Sequence, residues 1–176
     1  FARKQPAVEE HGQHDRLELH EAVESAMRFC SVGGAFERID VVKQWRPEGA
    51  PAHGNRNKII QVFLNLIQNA IQAMPDGGTL TLRSELLDDP RGSWSVVEVI
   101  DTGVGIPAEH IKKIFDPFFT SKSEGEGTGL GLSICHGIIQ DLGGLIEVES
   151  QLHKGSCFRV LLPQAETKKR VELKHA

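Results

Sequence analysis

From Ile59 to Pro75 the chain carries no charged residue, yet five carboxamides interrupt the run: Gln61, Asn65, Gln68, Asn69 and Gln72. That is far too polar for a lipid-facing span. Ile59, Val62, Phe63, Leu66, Ile67, Ala70 and Met74 recur at helical spacing. They predict one long helix over about 55–74 whose apolar stripe must be buried against a second layer. The opposite side of that helix carries amides in place of the usual Lys and Glu. Asn65 and Asn69 are four residues apart, so they share one face, a turn from each other.

The rest of the chain supplies the second layer. It has 176 residues, 39% of them hydrophobic, which suits one domain with a real core. Leu19, Val23, Ala26, Met27 and Cys30 predict a helix over about 19–31, stopped by Gly33-Gly34. Strands are expected at about 36–45, 79–86, 94–100, 145–150 and 156–162. A short helix is expected over 108–114 and another over 131–142, with 47–54 a loop. Late hairpins with helices between them imply an α/β two-layer sandwich, with a mostly antiparallel mixed sheet and helices on one face. Residues 1–16 read as a linker, 17–163 as the domain and 164–176 as a charged tail.

Twenty basic against 24 acidic residues give a net charge of −4, and the one basic cluster, Lys168-Lys169-Arg170, sits in that tail. Charge therefore gives no reason to expect nucleic acid. Cys30, Cys135 and Cys157 are widely spaced, without a C-x-x-C pair, which fits a reducing compartment.

Four segments carry chemistry. The amides of Asn65 and Asn69 offer neutral, hard oxygens that suit Mg²⁺ held on a nucleotide phosphate, although an ordinary solvated face also fits this segment alone. Asp101-Thr102-Gly103-Val104-Gly105-Ile106-Pro107 follows a strand. An ionised carboxylate only accepts hydrogen bonds, so Asp101 suits the exocyclic amino group of adenine. Gly103 and Gly105 are expected to let the backbone approach a flat base; a common Asp-Thr-Gly turn is the plainer alternative. Gly125-Glu126-Gly127-Thr128-Gly129-Leu130-Gly131-Leu132-Ser133 opens a helix, where free amides and the helix dipole favour phosphate oxygens. It matches neither a Walker loop nor a Rossmann fingerprint, and a flexible linker also fits it alone. Ile114-Phe115-Asp116-Pro117-Phe118-Phe119-Thr120-Ser121-Lys122 reads as an apolar anchor for that glycine loop.

In this order the segments resemble the histidine kinase catalytic domains, within the Bergerat-fold ATPases that include gyrase, mismatch-repair and chaperone members. Asn65 to Ala70 looks like the N box, Asp101 to Gly105 the G1 box, Phe115 to Phe118 the F box and Gly127 to Gly131 the G2 box. Gly155-Ser156-Cys157-Phe158 resembles the last glycine motif, and Asn69 to Met74 resembles the nitrogen-regulation and oxygen-sensing branch. The resemblance implies ATP and Mg²⁺, with Asn69 as the metal ligand. Asn65 stands where gyrase-like relatives carry a water-activating glutamate. Asp101, Gly103, Gly105 and Ile106 fall to the base, and Phe115, Gly127, Thr128, Gly129, Leu130, Gly131 and Leu132 to the lid and phosphates. Many members carry a basic residue where this chain has Gln72, and Lys122 is the candidate for the missing charge.

The acceptor histidine is expected on a separate dimerisation domain, since His14-Asp15-Arg16 and His20-Glu21 match its motif only superficially. A response regulator downstream, a homodimeric parent, a monomeric fragment and a cytoplasmic location complete the expectation, with any membrane anchor of the parent lying outside these residues. A serine kinase of the anti-sigma type, an ATPase clamp or a non-catalytic nucleotide sensor on the same fold are the rival readings.

Overall fold

The computed structural model describes residues 15–32, 34–120 and 128–165. In chain order the elements are β1 (Asp15–Glu18), α1 (Leu19–Cys30), β2 (Ile39–Gln44), β3 (Pro51–Gly54), α2 (Arg56–Gln72), β4 (Gly78–Asp89), β5 (Gly92–Asp101), α3 (Ala108–Ile111), α4 (Gly131–Asp141), β6 (Leu145–Gln151) and β7 (Gly155–Pro163). Five strands form one sheet in the order β2-β4-β5-β7-β6. The β2–β4 pair is parallel and the other three pairs are antiparallel. Helices α1, α2 and α4 pack on one face, so the expected two-layer sandwich is what forms.

The long helix starts where Asn55 caps it. The Asn55 side chain accepts from the backbone N–H groups of Asn57 (3.0 Å) and Lys58 (3.1 Å), which would otherwise lack partners. Its stripe, Ile59, Val62, Phe63, Leu66, Ile67 and Ala70, is buried. It shares a single core with Leu80, Leu82, Val97, Val99, Phe158 and Val160 of the sheet and with Cys135, Ile138 and Ile139 of α4. The period of 3.6 in the helix and of 2 in the strands thus meet on one plane.

Among the described residues the other face of the sheet carries no helix, and charge covers it. Arg83, Glu98, Arg159 and Glu147 are register partners across β4, β5, β7 and β6, alternating in sign. Glu98 is 0% exposed beneath two guanidinium groups: Arg83 Nε donates to Oε2 at 2.6 Å, and Arg159 Nε and Nη2 donate to Oε1 at 2.9 and 2.7 Å. Further along this face Trp94, Val96 and Leu161 form a small second apolar cluster.

Several expectations are corrected. The segment 47–54 is not all loop, because β3 lies in it and pairs antiparallel with β1. That strand begins at Asp15, inside the residues expected as linker. The strand expected from 36 starts at Ile39, since residues 34–38 turn, with Glu37 N–H on Gly34 O and Ile39 N–H on Phe36 O. The helix expected over 108–114 ends at Ile111 and continues only as turns. Among the described residues no helix is long and apolar enough to cross a membrane.

Candidate functional site

A cavity of about 540 Å³ opens between the amide face of α2, the end of β5 and the start of α4. Asn65 and Asn69 line it from the helix and Asp101 lines it from the sheet. Both asparagines are half-buried rather than in the core. Asp101 is only 4% exposed and sits on the inner face, paired across β5–β7 with Ser156. Burial pushes its carboxyl above the ordinary carboxylate range, while backbone N–H groups of Gly103 (2.8 Å to Oδ1) and Ser156 pull it back.

The two amides present different ends. Asn65 Nδ2 faces the carbonyl of Gly131 at 3.5 Å and the thiol of Cys135 at 3.6 Å, long contacts that turn its donor toward α4. Among the described residues its Oδ1 has no protein donor. Cys135, buried beneath it, has its thiol pushed up to about 11 by desolvation, so it stays protonated at neutral pH. No group of three or more His, Cys, Asp or Glu among the described residues could hold a metal ion alone. Neutral amide oxygens beside an open cavity suit a Mg²⁺ that keeps most of its ligands from water and phosphate.

The glycines after Asp101 serve a different contact from the one expected. A Cβ on Gly103 would strike the carbonyl of Ala73, and one on Gly105 would strike the carbonyl of Gln151. Gly105 also has φ +69°. Their smallness lets the segment wedge between the end of α2 and the β6–β7 turn, locked by Val104 N–H on Ala73 O and His153 N–H on Val104 O. The close approach is between chain and chain; Gly105 and Ile106 then line the cavity, whereas Gly103 does not.

The start of α4 forms the far wall. Thr128, Gly129, Gly131 and Leu132 line the cavity, and among the described residues no side chain caps the helix at Leu130, which itself does not line it. Phe118 N–H donates to Gly129 O at 2.9 Å, tying the aromatic segment to the glycine segment. Phe118 takes φ 67°, unusual for a bulky residue, and is 75% exposed. Phe115 is half-buried and stacks on His136 of α4, with ring centroids 5.3 Å apart. It therefore braces the wall without lining the cavity. Lys122 and Gly127 lie outside the described residues.

Other wall residues were named in the sequence without a place at the site, or not named at all. Ser156 had a signal, since it stands one place after Gly155 in a motif already noted. Gln72 does line the cavity, at the position expected to be basic in relatives. His110 and Phe119 pack edge to face at 5.3 Å and both line the cavity. Nothing in the linear spacing of His110 and Phe119 announces that contact.

Residues 54–166 match the family described as histidine kinase-, DNA gyrase B-, and HSP90-like ATPases. The sensor kinase CckA of Brucella abortus is 43% identical over 133 residues, covering 69% of this chain and 14% of that protein. The sensory histidine kinase/phosphatase NtrB of Azospirillum brasilense is 35% identical over 162 residues, covering 86% of this chain and 40% of that protein. The chain thus spans well under half the length of these curated relatives. Among solved structures, the nucleotide-free catalytic domain of histidine kinase ThkA is 34% identical with a TM-score of 0.72, covering 85% of this chain and 95% of that one. With the family match spanning most of the chain and a kinase catalytic domain overlaid nearly end to end, the chain belongs to the histidine kinase-, DNA gyrase B- and HSP90-like ATPases, as a histidine kinase catalytic domain.

Proposed function

We propose that this domain binds ATP with Mg²⁺ and transfers the γ-phosphate to a histidine on a separate dimerisation domain. The observation that carries the reading is that two half-buried carboxamides and one buried carboxylate line the same cavity from opposite layers. Asp101 accepts a hydrogen bond from the amino group of adenine. Ile106, Phe119 and Leu132 supply apolar surface around the nucleotide and keep water out. The uncapped amides at the start of α4 face the phosphates.

Asn69, and beside it the Oδ1 of Asn65, would hold the metal, which when bound neutralises charge on the phosphate oxygens. Lys122 and Gly127 belong to the same reading, as contributors to the phosphate site. An amide has no basic lone pair, so Asn65 does not deprotonate water, and hydrolysis is not promoted. What the domain contributes is position and electrostatics, which is what phosphoryl transfer chiefly requires. No covalent enzyme residue is needed.

The wider reading includes a cytoplasmic catalytic region, monomeric on its own, of a longer homodimeric kinase that passes the phosphate on to a response regulator. The test is to mix this chain with a separately expressed dimerisation domain and radiolabelled ATP. Acid-labile, base-stable label on that domain is expected. Release of free phosphate alone, with no protein label, overturns the reading.

A further inference from the structure

One end of the inner sheet face carries a row of aligned residues: Leu80, Asp101, Ser156 and Ser150 on β4, β5, β7 and β6. Asp101 and Ser156 line the cavity; Ser150, one strand further out, does not. Ser150 nevertheless sits at the centre of three short hydrogen bonds. Its Oγ is 2.8 Å from Gly155 O, 2.8 Å from Ile106 N and 2.9 Å from Ser156 Oγ.

Counting protons fixes the direction of each. A carbonyl oxygen has no proton, so the contact with Gly155 uses the single proton of Ser150. An amide N–H only donates, so Ile106 takes one Ser150 lone pair. The remaining contact is therefore a bond from the Ser156 hydroxyl into the other Ser150 lone pair. The Ser156 proton points back into the sheet, and what Ser156 turns to the cavity is lone-pair density. Beside it the ionised Asp101 also offers only acceptors. This wall welcomes an amino group and repels a carbonyl oxygen.

We infer that Ser150 is a specificity-determining positioning residue: by holding the Ser156 proton away from the cavity it makes the wall acceptor-only, and so selects 6-amino over 6-keto purine nucleotides. The inference rests on the nucleotide reading above and extends it to a residue that never meets the ligand. A site built for one hydrogen-bonding polarity rejects the opposite one strongly, because a buried group is then left facing a like group.

The experiment measures the affinity of this chain for ATP, for inosine triphosphate and for the triphosphate of unsubstituted purine riboside, with Mg²⁺, by titration calorimetry at pH 8. In the wild type the order is ATP, then the unsubstituted purine, then inosine triphosphate. Inosine triphosphate binding as well as the unsubstituted purine, whether by donation from the wall to O6 or from its own N1–H to Asp101, would overturn the inference.

Ser150→Ala and Ser150→Val both remove the acceptor that holds the Ser156 proton. Each is expected to cut the preference for ATP over inosine triphosphate by about tenfold, while Ser150→Thr keeps it. Thr and Val are nearly the same shape, so that pair isolates the hydroxyl even if the alanine variant folds poorly. In a Ser156→Ala background, Ser150→Val should change the ratio no further. Equal weakening of both nucleotides by Ser150→Val would mean that Ser150 only braces the Ile106 backbone, and would overturn the inference. A wild type that binds none of the three nucleotides sinks the functional reading itself, a result distinguishable from either.

Discussion

At the residue scale, Asp101 is held in a state the fold does not prefer. Burial raises its carboxyl above the usual value, with two backbone N–H groups only partly compensating. The sign of the linkage follows. The folded state binds the proton more tightly than the unfolded state, so the ionised form costs stability. That cost is absent below the ordinary aspartate range, grows as pH rises toward the raised folded value, and persists at neutral pH. Asp101→Asn should therefore abolish detectable ATP binding while melting higher than the wild type at pH 7. The gain should shrink when melting is repeated near pH 4. A variant that binds no nucleotide but melts lower at pH 7 would show that the carboxylate is a structural necessity.

At the element scale, the long helix is set by its cap and its stripe. Asn55 satisfies two of the first N–H groups, and no acidic residue in the first turn adds to it. Asn55→Ala should lower unfolding free energy by about 1 kcal/mol, read by urea denaturation. Elements with a sustained period were legible in the sequence: α2 in six buried apolar positions, and β5 and β7 in runs of Val, Ile and Leu. The stretches β1 and β3 were not. They are four residues each, Asp15–Glu18 and Pro51–Gly54, too short to show alternation, and the second contains both Pro and Gly. Their pairing with each other comes from tertiary placement, with Ala50 and Ala52 wholly buried. The site divides in the same way. Asn65, Asn69 and Asp101 were legible because helical spacing and a strand end fix where they point. His110 and Phe119 were not, because their meeting depends on how turns after α3 fold back.

At the scale of the whole molecule, the described residues leave one sheet face without a covering layer, and charge does the covering. Glu98 sat unnoticed within Val96–Ile100, yet its place in an apolar strand marks the face opposite the helices. The two guanidinium partners are 44% and 30% exposed, so they can turn to water, whereas Glu98 cannot. Arg159→Ala should thus cost more, about 2 kcal/mol, than Glu98→Gln, because the first leaves the buried carboxylate with Arg83 alone and one oxygen unpaired, while the second leaves only guanidinium groups that can turn to water. Chemical denaturation of both variants checks the order, and the reverse order would mean that the guanidinium groups and not the carboxylate bear the burial.

The β1–β3 ribbon is also stitched to the far end of the chain: Ala52 bridges Gln164, Ala165 N–H donates to Pro51 O at 2.9 Å, and Gln164 N–H donates to Ser93 O at 3.0 Å. Glu18, the register partner of Pro51, and Ala165 thereby share one corner of the domain. Asp101 and Ser156 stand at the opposite tips of β5 and β7, about 25 Å away along the strands. The stitched corner and the cavity thus terminate the same two strands, with the length of the sheet between them.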